Sequence, residues 1–149
     1  MSIKDRLTED MKQAMRERET GKFRLSVIRM AIASIKNVEI NERRELSDND
    51  LVSIISKEVK MRRDSFEEFQ KAGRFDLSEQ AQKEIAILMA YLPEQLSEAE
   101  IKAIVLQAVA KTGATSIKEI GKVMAEIMPK TKGRADGNMV NKIVREILG

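Results

Sequence analysis

Apolar residues recur at three- and four-residue intervals through almost the whole chain, and little interrupts them. That spacing places them on one face of a helix. A strand would need strict alternation, and no segment alternates for long. Only two prolines, Pro93 and Pro129, stand in 149 residues, and aromatic residues make up 3%, which is thin for a sheet protein. The pattern predicts an all-α fold.

The individual runs can be bounded. Ser2 precedes a run with Ile3, Leu7, Met11, Ala14 and Met15 on one face, and Gly21 is expected to close it as a C-cap. A second run carries Phe23, Val27, Ile28, Ala31, Ile32 and Ile35. Ser47 with Asp50 three residues later resembles a capping box and opens a long helix through Leu51, Ile55, Val59, Phe66 and Phe69, ending near Ala72-Gly73. Asp76 with Glu79 is expected to start a fourth helix through Ala81, Ile85 and Leu88. Pro93 cannot continue it, because it lacks an amide donor and its ring clashes with the preceding turn. Ser97 with Glu100 opens a fifth, stopped at Thr112-Gly113, and Ser116 with Glu119 a sixth, stopped at Pro129. Asp136 caps a seventh, through Val140, Ile143, Val144 and Leu148. The break at Leu92-Pro93-Glu94-Gln95-Leu96 predicts an N-terminal four-helix domain over 1–93 and a small C-terminal three-helix domain over 94–149.

The chain has no histidine and no cysteine. Zinc, haem, iron–sulfur and blue-copper sites therefore lack their usual ligands, and Ser-His-Asp or cysteine mechanisms lack a base or a nucleophile. No phosphate-binding loop of the G-x-x-x-x-G-K-[ST] or G-x-G-x-x-G kind occurs. Asp48-Asn49-Asp50 lacks the glycine and distal glutamate of a calcium loop and reads as helix capping. Glu67-Glu68 and Glu17/Glu19 fall on charged helix faces with nothing nearby to desolvate one of them. The expectation is no catalytic residue, no metal and no cofactor. Tyr91, the single tyrosine, reads as a packed ring at the domain break. Met11 with Met15, and Met124 with Met128, read as core filler, with a peptide groove as the alternative. Lys57, Lys60, Arg62 and Arg63 interleave with Glu58, Asp64, Glu67 and Glu68, which reads as a salt-bridged helix face.

No stretch approaches the roughly 18 apolar residues that would span a bilayer. Asp5, Glu9 and Asp10 argue against a signal or transit peptide, so a cytoplasmic protein with no membrane partner is expected. The net charge is +3, and its excess gathers near the C-terminus: five basic residues and one acidic between Met128 and Arg145. There, Pro129-Lys130-Thr131-Lys132-Gly133-Arg134-Ala135-Asp136 reads as a turn between two helices. Gly133 would supply a conformation that other residues resist, and the next helix offers free amides and its positive dipole end. Lys130, Lys132, Gly133 and Arg134 could grip phosphates, with Lys142 and Arg145 farther along. A solvated basic loop is the equal alternative.

Lys60-Met61-Arg62-Arg63-Asp64-Ser65, Ala72-Gly73-Arg74-Phe75-Asp76-Leu77, Tyr91-Leu92-Pro93, Gly121-Lys122-Val123-Met124 and Gly133-Arg134-Ala135-Asp136-Gly137 together resemble the GatB/YqeY-like family. The resemblance covers essentially the whole chain and implies a small bacterial protein with a two-part helical fold. It also implies similarity to the C-terminal tail of the B subunit of glutamyl/aspartyl-tRNA amidotransferase, where a matching Lys-Gly-Lys/Arg-Ala turn lies in a domain implicated in tRNA contact. Lys132-Gly133-Arg134-Ala135 stands at that place here. The implied function is non-catalytic binding of tRNA or another structured RNA, alone or with a tRNA-modifying enzyme. The alternatives are an accessory part of a glutamine-dependent amidotransferase and a protein-interaction adaptor. A glutaminase nucleophile and a phosphorylating ATP site, which amide transfer requires, belong to other parts of that enzyme.

Overall fold

A computed structural model describes all 149 residues, Met1–Gly149. It contains seven α-helices and no strand: α1 (Ile3–Arg16), α2 (Lys22–Glu42), α3 (Asp48–Lys71), α4 (Phe75–Met89), α5 (Glu98–Thr112), α6 (Ile120–Thr131) and α7 (Gly137–Leu148). No helix is long and apolar enough to cross a membrane. The chain divides into two compact units, Met1–Leu92 and Pro93–Gly149.

In the first unit, α1–α4 close around Leu7, Ile28, Leu51, Ile55 and Leu88, each at most 1% exposed. Burying one such side chain fully stabilises a fold by about 1.5–3 kcal/mol. Reciprocal capping boxes start α1 and α3: Ser2 with Asp5, and Ser47 with Asp50, each satisfying two amides that a helix start leaves free. In the second unit, α5–α7 enclose Ile101, Val105, Val123, Ile127 and Val144. Ser97 and Glu100 form the third box, and Gly113, at φ +70°, caps α5.

Several boundaries differ from expectation, each for a local reason. Gly21 is not the cap of α1. That helix ends at Arg16, with Arg18 in the left-handed conformation at φ +53°, and a 3₁₀ turn, Arg18–Gly21, leads into α2. Gly21 instead packs against the backbone of α1, where an added Cβ would lie 2.3 Å from the Ala14 carbonyl oxygen. Asp76 does not cap α4. It lies inside the first turn and pairs with Arg74 at 3.2 Å. Ser116 makes no cap bond. Glu119 reaches back to the Thr115 amide at 2.6 Å, over a 3₁₀ turn, Ile117–Glu119, that precedes α6. Pro129 does not stop α6, which runs on to Thr131. Buried Thr131 donates its hydroxyl to the Ile127 carbonyl at 3.2 Å, and the Lys132 amide donates to the Met128 carbonyl at 3.0 Å, so neighbouring donors hold the turn that proline weakens.

Two stripes also divide. Met11 and Met124 pack against the cores, whereas Met15 and Met128 are 50% and 61% exposed. Arg62 is not a solvated partner on a helix face. It is 8% exposed and bridges Glu58 on its own helix, at 2.6 Å, to Glu84 on α4, at 2.9 Å. Tyr91 is buried, donates its hydroxyl to Asp10 and lies under the Arg6 guanidinium, 5.2 Å from the ring centroid. Burial first, and the Asp10 hydrogen bond second, push its phenol well above the usual tyrosine range.

Candidate nucleic-acid interface

The basic segment of the second unit is a type II β-turn. Lys132 has φ −56° and ψ 120°, Gly133 has φ +72°, and the Arg134 amide donates to the Thr131 carbonyl at 2.9 Å. Those angles define type II, whose third residue must take a positive φ. Glycine does so without the steric cost other residues meet.

The turn is anchored on both sides. At its start, buried Thr131 belongs to α6 and accepts the Arg134 and Ala135 amides, the latter at 3.1 Å. Across from it, the Leu96 amide donates to the Arg134 carbonyl at 2.7 Å, and Gln95 Nε2 donates to the Gly133 carbonyl at 2.8 Å. At its end, Asp136 caps α7 by accepting the Asn138 amide at 3.2 Å. The Thr131, Gly133 and Arg134 carbonyls are thus spent inside the unit, and the cations of the turn are exposed.

Lys130, Lys132, Arg134, Lys142 and Arg145 are all exposed. Their surroundings differ. Lys130, Lys132 and Lys142 form no ion pair. Arg134 directs Nε toward the Glu94 carbonyl at 3.5 Å. Glu100 is held below the usual glutamate range chiefly by the Ser97 amide, with the Arg134 charge a minor contributor. Arg145 donates Nε to Asn141 at 2.7 Å.

The structure therefore brings Lys132, Gly133 and Arg134 together on one turn, with Lys130 in the last turn of α6 before it. Lys142 and Arg145 lie along α7. At 1.5 Å per residue they stand roughly 8 and 12 Å from its start, so they belong to the helix flank rather than to the turn. Sequence reasoning missed Gln95 and Leu96, which pin the turn from about 40 positions away in the chain. Nothing local to either residue signals that contact. Chemically, the arrangement suits a diffuse polyanion: exposed cationic groups on a backbone fixed by hydrogen bonds.

Comparison with known proteins adds the following. A family model described as "Yqey-like protein" matches residues 4–148. The protein "Altered inheritance of mitochondria protein 41, mitochondrial" of Pyrenophora tritici-repentis is 35% identical over 151 residues, covering 97% of this chain and 80% of the relative. Proteins of the same name in Lachancea thermotolerans and Eremothecium gossypii are each 39% identical. They cover 65% and 58% of this chain, and 52% and 46% of their own lengths. The chain thus spans about half the length of these last two relatives. The relatives correct two expectations. They are fungal proteins named as mitochondrial, which overturns both the bacterial and the cytoplasmic reading.

Proposed function

Because the chain belongs to the YqeY-like family, matched from residue 4 to residue 148, and displays an anchored basic turn in its second unit, we propose that it is a non-catalytic RNA-binding module. The observation that carries this reading is Lys132 on a type II turn, exposed, without an ion pair, and set between Lys130 and Arg134. Holding the turn in advance lowers the entropy lost when phosphates bind. The resemblance of Lys132-Gly133-Arg134-Ala135 to the amidotransferase B-subunit tail makes tRNA the first RNA to test. Kinship with that tail is part of the proposal. The mitochondrial name of the relatives adds mitochondrial tRNA to the pool.

The test is a titration of tRNA against the full chain at several salt concentrations. Three phosphate contacts predict a slope of log affinity against log salt of roughly −2 to −3. Lys132→Ala lowers its magnitude by roughly 0.7–0.9 and weakens binding to all sequences alike. Equal binding by the wild type and the Lys130/Lys132/Arg134 alanine variant refutes the turn as the site.

A further inference from the structure

The first unit carries a second cationic feature, at the corner where α1 ends. Lys12, Arg16 and Arg18 surround an open depression of about 530 Å³, and the fourth residue lining it is Met15, half exposed. No carboxylate lines it. Resting on the RNA-binding reading above, we propose that this corner is a phosphate site, taking a backbone phosphate of a structured RNA on the first unit independently of the basic turn.

Four observations support it. First, the local charge is uneven. Between Lys12 and Arg24 stand five basic residues and two acidic ones, an excess of three that equals the net charge of the entire chain. Arg24 is neutralised by Asp10 at 3.4 Å. Lys12 meets Glu9 only at 3.7 Å, with both side chains more than half exposed, a contact that water and salt screen.

Second, Arg16 and Arg18 have no ion pair, as Arg29, Arg43, Arg134 and Arg145 have none, and here two such arginines line one depression; Arg24, Arg44, Arg62 and Arg74 each have a carboxylate partner. The C-terminal dipole end of α1 attracts them, but it carries only about half a charge against three cations.

Third, Arg18 holds the left-handed conformation at φ +53°, which glycine or asparagine would take at less cost. A strained residue with an unpaired guanidinium points to a use outside the fold. Arg43 shares that backbone conformation, but beside it Arg44 joins Glu42 and Asp50, so the field there is mixed.

Fourth, the corner is stiff. Gly21 packs directly on the α1 backbone at Ala14, and Thr20 donates its hydroxyl to the Glu17 carbonyl at 2.9 Å. The guanidinium forks of Arg16 and Arg18 can each take two phosphate oxygens, and Lys12 adds a point charge. One exposed thioether is too little apolar surface for a membrane-seated face, which favours RNA over a lipid surface.

The experiment is an NMR titration of the isotope-labelled full chain with a short RNA hairpin, reading the amides of residues 12–20 and 130–136 separately. Both sets shifting is the expected result. Arg18→Gly then removes the charge while relieving the strained backbone, so the variant is at least as stable as the wild type. It lowers affinity about five- to eightfold at 0.1 M salt and the salt slope by roughly 0.7–0.9. Arg16→Gln has the same effect without the gain in stability. Shifts confined to 130–136 overturn the corner site and leave the proposed function standing. Shifts confined to 12–20 support the corner and refute the turn. No shift in either set refutes both. Shifts at 12–20 caused by phosphatidylglycerol vesicles but not by RNA overturn the proposal in favour of a lipid surface.

Discussion

Replacing Gly21 by alanine sets two opposed effects against each other at one atom. Gly21 has φ −96°, which alanine adopts freely, so stiffening the unfolded chain alone would stabilise the fold by about 0.4–1 kcal/mol. The added Cβ would lie 2.3 Å from the Ala14 carbonyl oxygen and 3.0 Å from two further backbone atoms of that residue. Real Cβ contacts stay beyond 3.0 Å, so α1 and the start of α2 must part by at least 0.7 Å. The obstacle is backbone, which no rotamer change removes. Overpacking of this kind costs about 1–3 kcal/mol, and it acts where Leu7 and Ala14 are buried against the core. The clash wins, with a net destabilisation of about 1–2 kcal/mol. Tyr91 is the only tyrosine in a chain without tryptophan and is buried in the first unit, so its emission during urea unfolding reports that unit. With a urea dependence of about 1–1.5 kcal/mol per molar, the midpoint falls by about 1 M. A midpoint at or above that of the wild type would refute the packing argument. Gly121 is the contrast: it lies in α6 with open space where its Cβ would stand, so Gly121→Ala stabilises the second unit by up to about 1 kcal/mol in thermal melts.

The other predictions concern charge. Arg62→Met strips Glu58 and Glu84 of their shared donor and destabilises the first unit by about 3 kcal/mol, near the low end for a broken buried pair, because both carboxylates keep 19% of their surface exposed. Adding Glu58→Gln and Glu84→Gln recovers most of that loss in the same urea assay; no recovery would mean that packing, not charge, sets the cost. The Arg44 hydrogen bond first, and the Ser47 backbone and hydroxyl next, hold the Asp50 carboxyl well below the usual aspartate range. A depressed folded value means the stabilisation is complete above the unfolded pKa, about 4, and is lost as pH falls through the folded value. Asp50→Asn therefore flattens the loss of stability below about pH 4. An unchanged acid limb would show that another carboxylate governs it.

Much of the helical order was legible because its signals are local. A capping box joins residues three apart, as Ser2 to Asp5, Ser47 to Asp50 and Ser97 to Glu100. The apolar periodicity likewise marks which face of each helix is buried. Among the boundaries that differ, those at Gly21 and Pro129 arise where local chemistry meets distant packing. Gly21 looked like a helix end, but its lack of a side chain serves a contact with Ala14 seven residues away. Pro129 looked like a stop, but Thr131 beyond it is held in the core of its unit.

The same division runs through the candidate sites. The cations, the glycine and the N-cap of the basic turn are consecutive in the chain, so composition and spacing alone were enough to find them. That Gly133 completes a type II turn, and that Gln95 and Leu96 hold its carbonyls, needed the fold: hydrogen bonds between residues about 40 apart leave no mark on either local sequence. The Lys12, Arg16 and Arg18 corner was invisible for a related reason. A cation count does not tell a paired arginine from an unpaired one, and only the packing of α1 against α2 decides which carboxylates come within reach. Local propensity set where the helices with capping boxes begin and which faces are apolar. Tertiary contact decided which charges are neutralised, because pairing falls off over a few ångströms while the partners can lie anywhere in the chain.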